Sequence, residues 1–282
     1  MKADETDARV FDRPLYVARL ARARGGEANA LTRGITEELI ERLDLVKRQF
    51  SKAAVIAAEP DHVAARLEQS GKVTAVTTLE PASDETLRLE PHSLEAVFSV
   101  FDLQAANDVP GVLVQIRRAL KPDGLFMGCL FAGQTLTELR QAWLAAEVLI
   151  TGGVSPRVAP MIDMRELGAL LLRAGFALPV ADLDRTLVRY DDAIALIHEI
   201  RRMGYANPMA ARSRKPVTRA LLGAAVNAYH SNFADTEGRI RVTLEVAWLT
   251  GWAPHESQQQ PLKPGSARMR LADALNVKEQ KA

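Results

Sequence analysis

Hydrophobic residues change their spacing abruptly near residue 120. Before this point, Val112, Leu113 and Ile116 recur at three- and four-residue intervals, which predicts an amphipathic helix. After it, the run Leu125–Phe131 is short and almost entirely apolar, which is typical of a strand covered on both faces of a sheet. Pro122-Asp123-Gly124 separates the two, and we expect a tight turn in which the glycine takes positive φ. The pattern predicts a helix, a turn and a buried central strand.

The alternation of helical and strand patterns extends along most of the chain. A helical stripe begins at Leu31 and ends at Val46, and polar or Pro/Gly segments separate the elements that follow. The predicted strands are Ala53–Ala58, Val73–Thr77, Leu94–Val100, Leu125–Phe131, Leu183–Tyr190 and Arg239–Leu249. Helices between such strands form βαβ units, so we expect an α/β fold with a mainly parallel sheet. The last strand alternates apolar and polar residues, and we expect it to return to this sheet.

The composition changes at both ends of this region. Residues 1–28 are rich in arginine and end near a glycine pair, which predicts a basic, loosely structured arm. Residues 29–258 form the predicted domain, and residues 259–282 form a polar C-terminal tail.

Overall composition excludes several classes of protein. The 282 residues are 48% hydrophobic and 25% charged with a formal net charge of +1, which is ordinary for a globular protein and gives no electrostatic reason to expect nucleic acid as a partner. Cys129 is the single cysteine, so neither an intrachain disulfide nor a cysteine-rich zinc site is expected. The basic N-terminus contains acidic residues that targeting peptides lack, and no apolar run reaches the roughly 20 residues of a membrane span. We expect a cytoplasmic bacterial protein, with peripheral membrane contact as an alternative.

A series of motifs in fixed order resembles the class I methyltransferases. The resemblance is to the branch that contains the mitochondrial complex I assembly-factor methyltransferase-like proteins and the bacterial malonyl-carrier-protein methyltransferases. It implies a Rossmann-like sheet of seven strands with helical insertions and a retained C-terminal strand, S-adenosylmethionine as cofactor, and a protein client. The motifs are Phe11-Asp12-Arg13, Asn107-Asp108-Val109-Pro110, Leu120-Lys121-Pro122-Asp123-Gly124, Phe131-Ala132-Gly133, Gly153-Val154-Ser155-Pro156, Gly251-Trp252 and His255-Glu256-Ser257.

The cofactor motifs of that family are degenerate here. The resemblance implies an acidic residue and a Gly-x-Gly-x-Gly loop at the end of the first strand, where this chain has Val55, Ala57, Glu59 and Asp61. The side chain of Ala57 would limit how closely the cofactor can approach the backbone. The carboxylates of Glu59 and Asp61 would repel the carboxylate of the cofactor. The acid expected at the end of the second strand is replaced by about Thr77.

Candidate catalytic and substrate residues lie in the second half of the chain. His255 and Glu256 could form an acid–base pair, although adjacent side chains diverge and a loop held by local hydrogen bonds is the alternative. Glu138 could act in the substrate cleft that follows the central strand, or belong to an exposed charged turn. The remaining predicted substrate-cleft residues are Thr135, Arg140, Ser155 and Trp252.

The sequence shows no metal-binding motif and only short basic clusters as candidate partner surfaces. The five histidines include no His-x-Asp or His-x-Glu pair, so no metal is expected. Basic residues cluster at Arg212, Arg214 and Lys215 and at Lys47-Arg48, and could meet an acidic partner or anionic lipid or form a solvated face.

Two functions follow from these patterns. One is a protein-binding maturation or assembly factor of the respiratory complex I type, with an eroded S-adenosylmethionine site. The other is an active S-adenosylmethionine-dependent methyltransferase that acts on a protein or on a carrier-bound acyl group.

Overall fold

The computed structural model describes residues 9–25 and 28–259. Its helices and strands alternate through most of this range, as the sequence predicts. The helices are α1 (Arg13–Ala23), α2 (Ala30–Asp44), α3 (Pro60–Gln69), α4 (Val109–Ala119), α5 (Thr137–Thr151), α6 (Met164–Arg173), α7 (Ala193–Arg202) and α8 (Arg219–Phe233). The strands are β1 (Phe50–Ala57), β2 (Val73–Leu79), β3 (Leu94–Val100), β4 (Leu120–Phe131), β5 (Ala177–Tyr190) and β6 (Ile240–Trp252).

The strands form one sheet in the order β2-β1-β3-β4-β6-β5. The first four are parallel, and β6 is antiparallel to both β4 and β5. The expected α/β class and the return of the last strand to the sheet are confirmed. The described residues contain six strands rather than seven, because the connection of residues 80–93 is too short to hold both a crossover helix and another edge strand.

The predicted turn lies inside β4 rather than before it. Leu94 of β3 pairs with Leu120, whereas Ala96 pairs with Leu125, so the residues between them bulge out of the ladder. The positive φ, 60°, belongs to Asp123 and not to Gly124, which corrects the prediction. Any side chain at position 124 would clash with the backbone, because a Cβ on Gly124 would lie 2.8 Å from the carbonyl oxygen of Lys121.

Within the predicted N-terminal arm, Arg13–Ala23 is a packed helix, which corrects the prediction of a loose structure there; residues 1–8 and the predicted tail beyond residue 259 lie outside the described residues. Asp12 caps α1 by accepting a hydrogen bond from the amide of Leu15 at 3.1 Å, and Pro14 occupies the first turn, where its missing N–H costs nothing. Tyr16 and Leu20, one helical turn apart, are both buried. The helix was missed because its many arginines obscure a narrow apolar stripe.

Hydrophobic residues cover both faces of the sheet. One face packs against α2 and α3 through residues such as Leu39, Leu43 and Val63. The other packs against α4 and α6, with Leu113 and Leu171 among the fully buried side chains. A third cluster joins α5, α7 and α8 to the long antiparallel pair β5–β6. Both faces of the sheet are therefore covered, and the carboxyl ends of β1 and β3 meet α1.

Candidate functional site

The candidate site lies where the parallel strands end. In sheets of this kind, ligands bind outside the carboxyl ends of the strands. Here α1 crosses that edge: Tyr16 and Leu20 form a buried cluster with Ala58, which follows β1, and Ala105, which follows β3. The hydroxyl of Tyr16 donates to the carbonyl of Phe101 at 2.7 Å. Side chains of α1 thus occupy the space directly above the ends of β1 and β3.

A buried ion pair fixes α1 in this position. Arg13 binds the carboxylate of Asp102, which follows β3, and both side chains are about 3% exposed. The same guanidinium donates to the carbonyls of Asp102 at 3.3 Å and of Ala82 at 3.0 Å. Burial raises the pKa of Asp102, while Arg13 opposes the shift. One arginine therefore joins the helix to two loops at the edge of the sheet.

Two motifs that are 96 residues apart meet beside this pair. The amide of Phe11 donates to the side-chain oxygen of Asn107 at 2.9 Å, and the side-chain amide of Asn107 donates to the carbonyl of Phe11 at 3.1 Å. Asp12 accepts from Arg212 at 3.0 Å. The N-terminal motif therefore serves to dock α1.

The residues at the degenerate glycine-loop positions are buried in β1 or belong to the connection to α3 and its first turn. Val55 and Ala57 lie within the buried strand. Glu59 precedes α3, and its carboxylate accepts from the side chain of Asn29 at 2.8 Å and from the backbone amide of Asn29 at 3.3 Å. Asp61 is exposed in the first turn of α3, where its charge favours the helix. Of the two predicted negative charges, Glu59 is therefore held by the N-cap of α2, whereas Asp61 is exposed.

The acid after the second strand is present, which also corrects the sequence reading. Thr77 lies within β2, which continues to Leu79, and Glu80 is the next residue. Arg24 forms an ion pair with Glu80, whose side chain is 62% exposed. The predicted strand ends at Thr77, two residues before the observed end at Leu79, and the prediction therefore lacks this carboxylate.

A cleft of about 940 Å³ opens beside α1 and the end of β1. We call it the arginine cleft. Its lining includes Glu59 and Glu199 but is dominated by cationic side chains from three separate parts of the chain. The arginines are Arg19, Arg22, Arg24, Arg33, Arg201 and Arg202.

An apolar pocket of about 300 Å³ adjoins the cleft, and we call it the tyrosine pocket. The two share Ala30, Glu199 and Met203 in their walls. The other lining residues include Tyr16, Gln104, Phe131, Thr135, Tyr190, Tyr205 and Leu244. Burial and the neighbouring Glu199 carboxylate raise the pKa of Tyr190 to about 12.

Two polar side chains of the tyrosine pocket differ in whether they have hydrogen-bond partners within the protein. The Thr135 hydroxyl donates to the carbonyl of Glu245 at 2.9 Å and accepts from the amide of Glu245 at 2.8 Å. By contrast, the side-chain oxygen of Gln104 is buried without a hydrogen-bond partner. Thr135 is the one predicted cleft residue that lies in the pocket wall.

The other candidates near α5 have structural roles. Glu138 is buried, and its carboxylate accepts from the amide of Thr243 at 3.0 Å and from the hydroxyl of Thr243 at 2.5 Å. Arg140 donates to the carbonyl of Ala159 at 3.0 Å and is half-buried. Neither belongs to an exposed turn, and neither lines the pocket. Both side chains therefore have partners within the protein, and their assignment to the substrate cleft stays a prediction.

Ser155 also has a structural role. Its hydroxyl donates to the buried carboxylate of Glu147 at 2.7 Å, and Arg157 donates to the same carboxylate at 2.6 Å. These bonds close the loop after α5. Ser155 therefore contributes to folding rather than to the pocket.

Trp252, His255 and Glu256 lie at the opposite edge of the sheet. Trp252 pairs with Leu125, at the start of the apolar part of β4. His255 is exposed and bonds to the hydroxyl of Ser257 at 2.7 Å rather than to Glu256. The local-loop alternative describes this segment, and the proposed acid–base pair is corrected because its members do not meet each other or the carboxyl edge.

The predicted basic clusters are divided by the fold. Arg212 binds Asp12, whereas Arg48 binds Asp123 at the amino-terminal edge of the sheet. The concentration of charge in the arginine cleft was missed because α1, α2 and α7 become neighbours only in the folded chain.

Within residues 9–25 and 28–259, no group of three or more His, Cys, Asp or Glu side chains is arranged to hold a metal ion. In the same part of the chain, no helix is long and apolar enough to cross a membrane.

Comparison with known proteins identifies relatives along nearly the whole chain. Residues 39–128 match the methyltransferase domain family. The chain is 31% identical to the mitochondrial arginine-hydroxylase NDUFAF5 of Danio rerio over 278 residues, which cover 97% of this chain and 82% of that protein. It is 34% identical to the human protein of the same name over 73% of this chain and 60% of that protein.

Bacterial relatives and solved structures are also similar. The malonyl-acyl-carrier protein O-methyltransferase of Xylella fastidiosa is 31% identical over 74% of this chain and 69% of that protein. The crystal structure of the YcgJ protein from Bacillus subtilis has a TM-score of 0.50 at 12% identity and covers 78% of this chain and 99% of that chain. This last similarity concerns the fold alone.

Proposed function

The chain belongs to the class I methyltransferase superfamily, in the branch that contains the arginine-hydroxylase NDUFAF5 and the malonyl-acyl-carrier protein O-methyltransferases, and we propose that it is a protein-binding maturation or assembly factor. Its client would be a subunit of respiratory complex I type, and the bacterial relatives favour the cytoplasm as its location. The proposed activity does not use S-adenosylmethionine.

The packing of α1 on the end of the sheet carries this proposal. Tyr16 and Leu20 lie against Ala58 and Ala105, where a cofactor would have to approach the backbone. The connection from β1 to α3 contains Ala57, Ala58 and Glu59 instead of glycines, so side chains restrict that approach further. The residues present therefore do not fit S-adenosylmethionine in the family's usual position.

Electrostatics argue in the same direction. The adjoining cleft has six arginines and two glutamates in its walls. S-adenosylmethionine has a net positive charge, because its sulfonium and ammonium groups outnumber its single carboxylate, and such a surface would repel that net charge. Glu80 could otherwise bind ribose hydroxyls, but Arg24 holds its carboxylate.

Two observations favour the second candidate, a methyltransferase acting on a protein or a carrier-bound acyl group. Glu80 follows β2, the position at which the family resemblance implies a ribose-binding acid. The tyrosine pocket lies at the end of β4 and has an apolar wall that could receive an acyl chain.

Calorimetric titration of the full-length protein distinguishes the two. We expect no heat of binding with S-adenosylmethionine or S-adenosylhomocysteine up to millimolar concentration. An active class I methyltransferase titrated in the same buffer serves as the positive control. Micromolar affinity for either ligand would overturn the proposal and favour the methyltransferase.

A further inference from the structure

The arginine cleft contains positive charge that the described part of the protein does not neutralise. Arg22 and Arg33 donate to the backbone carbonyls of Ala18 and Ala28, and no carboxylate among the described residues forms an ion pair with either. Arg201 and Arg202, exposed in the last turn of α7, likewise have no carboxylate partner in the described ranges. The charges therefore remain available to a ligand.

The arginines also repel one another. Burial and the neighbouring Arg212 and Arg22 lower the pKa of Arg19, and Arg201 contributes to the same shift. Arg19 donates to the carbonyls of Ala206 and Asn207 but has no ion pair within the described residues. A bound anion would relieve this repulsion.

The geometry favours an anion that reaches the protein from outside. Four of the six side chains are exposed and come from three helices around an open cavity. The N-terminus of α2, a helix of 15 residues with no acidic side chain in its first turn, begins at Ala30 in the wall. The Glu59 carboxylate already binds Asn29 at this N-terminus, so the attraction for an incoming anion comes from the arginines.

The tyrosine pocket extends the same cavity with an apolar surface. Ala30, Glu199 and Met203 belong to both walls, so one ligand can reach both sites. The pocket is lined by aromatic and aliphatic side chains, and the free side-chain oxygen of Gln104 can accept one hydrogen bond from the ligand. Its volume of about 300 Å³ suits one large apolar side chain.

We propose that these two surfaces together bind an acidic segment of a protein, with an apolar side chain in the tyrosine pocket and flanking carboxylates on the arginines of the cleft. The proposal rests on the protein-binding function above and specifies the client's chemistry. Arginine suits this role because its planar guanidinium binds carboxylates through two hydrogen bonds. A concave cavity with an apolar recess favours a peptide over a flat lipid surface.

The test uses the full-length protein and a fluorescent peptide of the sequence Asp-Glu-Asp-Phe-Glu-Asp-Glu, read by anisotropy. We expect saturable binding that weakens as sodium chloride rises from 50 to 300 mM, because salt screens exposed charges. Replacing the peptide's phenylalanine with alanine should weaken binding at least tenfold. Equal affinity for the two peptides would overturn the anchoring in the tyrosine pocket.

Charge reversal tests the cleft without disturbing the core. The double variant Arg201→Glu/Arg202→Glu should bind the peptide at least tenfold more weakly than the unmodified protein. Arg165→Glu/Arg173→Glu, which changes two exposed arginines of α6 outside the cleft, is the matched control and should bind normally. Similar losses in both variants would overturn the proposal, since only general charge would then matter.

Two further measurements separate the alternatives. Vesicles of phosphatidylglycerol, offered without peptide, should not sediment the protein; sedimentation without peptide binding would overturn the proposal in favour of a lipid surface. The titration with S-adenosylmethionine tests the proposed function independently. Peptide binding together with micromolar cofactor affinity would refute only the proposed function, whereas the absence of both would refute only this inference.

Discussion

Arg13 and Asp102 form a buried ion pair that ties the first helix to the end of the third strand, 89 residues further along the chain. Through this pair, α1 covers the edge where the parallel strands end, and the arginine cleft lies on its flank. The position of α1 therefore determines which side chains cover the ends of these strands and which arginines line the cavity beside them.

Replacing Arg13 with methionine tests this attachment. Removing one partner of a buried ion pair leaves a charge without compensation and typically costs about 3–5 kcal/mol. Burial raises the pKa of Asp102. In the Arg13→Met variant, the Asp102 carboxyl group should therefore bind a proton more readily in the folded protein than in the unfolded chain. The destabilisation should therefore be largest at high pH and decrease as pH falls, as measured by urea unfolding between pH 5 and 8.

Two variants serve as controls for the ion pair. Arg13→Met/Asp102→Asn removes both charges and should lose the additional pH dependence. Arg22→Met alters an exposed arginine of the same helix and should change the free energy of unfolding by less than about 0.5 kcal/mol. If Arg13→Met lowers the free energy of unfolding by the same amount at every pH, Asp102 is not the cause of the destabilisation.

Gly133 is expected to be intolerant of alanine. Its φ is 54°, and a Cβ atom would lie 2.0 Å from a carboxylate oxygen of Glu245, which also accepts a hydrogen bond from the amide of Gln134 at 2.6 Å. Gly133→Ala should reduce the free energy of unfolding by about 2 kcal/mol or more, from left-handed strain and displacement of Glu245. Gly168→Ala, at a position in α6 with no atom within 4 Å of the added Cβ, should instead stabilise the protein slightly in the same urea measurement.

The buried carboxylate of Glu147 should contribute to acid sensitivity. Burial alone would raise the pKa of Glu147, but hydrogen bonds from Ser155 and Arg157 outweigh it and hold the pKa below its ordinary value of 4.5. A depressed pKa means that the stabilisation is complete above the unfolded value and is lost as pH falls through the folded value. Glu147→Gln should lower stability by about 1.5–3 kcal/mol at pH 7, and the difference from the unmodified protein should shrink towards pH 3. A constant difference across this range would contradict the assignment.

The local spacing of hydrophobic residues was sufficient to predict the strands of the sheet. The six predicted strands correspond to β1 through β6, because each is a run of apolar or alternating residues bounded by turn residues, although β5 begins earlier than predicted, at Ala177. The helix α1 was not predicted because its docking depends on Arg13 meeting Asp102, a contact that local periodicity cannot show. Similarly, local sequence does not show that Asp123 takes the positive φ, or that a Cβ on Gly124 would meet the carbonyl of Lys121.

The site was harder to predict than the fold. Glu80 was missed because β2 extends to Leu79, two residues beyond the predicted end of that strand. His255 was selected from its neighbours in sequence, although the antiparallel direction of β6 carries it to the opposite edge of the sheet. The arginine cleft combines arginines separated by up to 183 positions, from Arg19 to Arg202. Sequence motifs identified the family, whereas the tertiary contacts determine which side chains share a cavity.

The last prediction concerns restoration of the glycine loop. The variant Ala57→Gly/Glu59→Gly/Asp61→Gly should still show no binding of S-adenosylmethionine in calorimetry, because Tyr16 and Leu20 remain above the ends of the strands. It should also be less stable by about 2–3 kcal/mol, since glycine weakens β1 and the start of α3 and Glu59 no longer binds Asn29. That loss corresponds to a fall in melting temperature of about 4–12 °C for a chain of this size. Glu59→Gln, which keeps an acceptor for Asn29, is the control and should melt close to the unmodified protein. Micromolar binding by the triple variant would show that the loop alone excludes the cofactor and that α1 does not block its site.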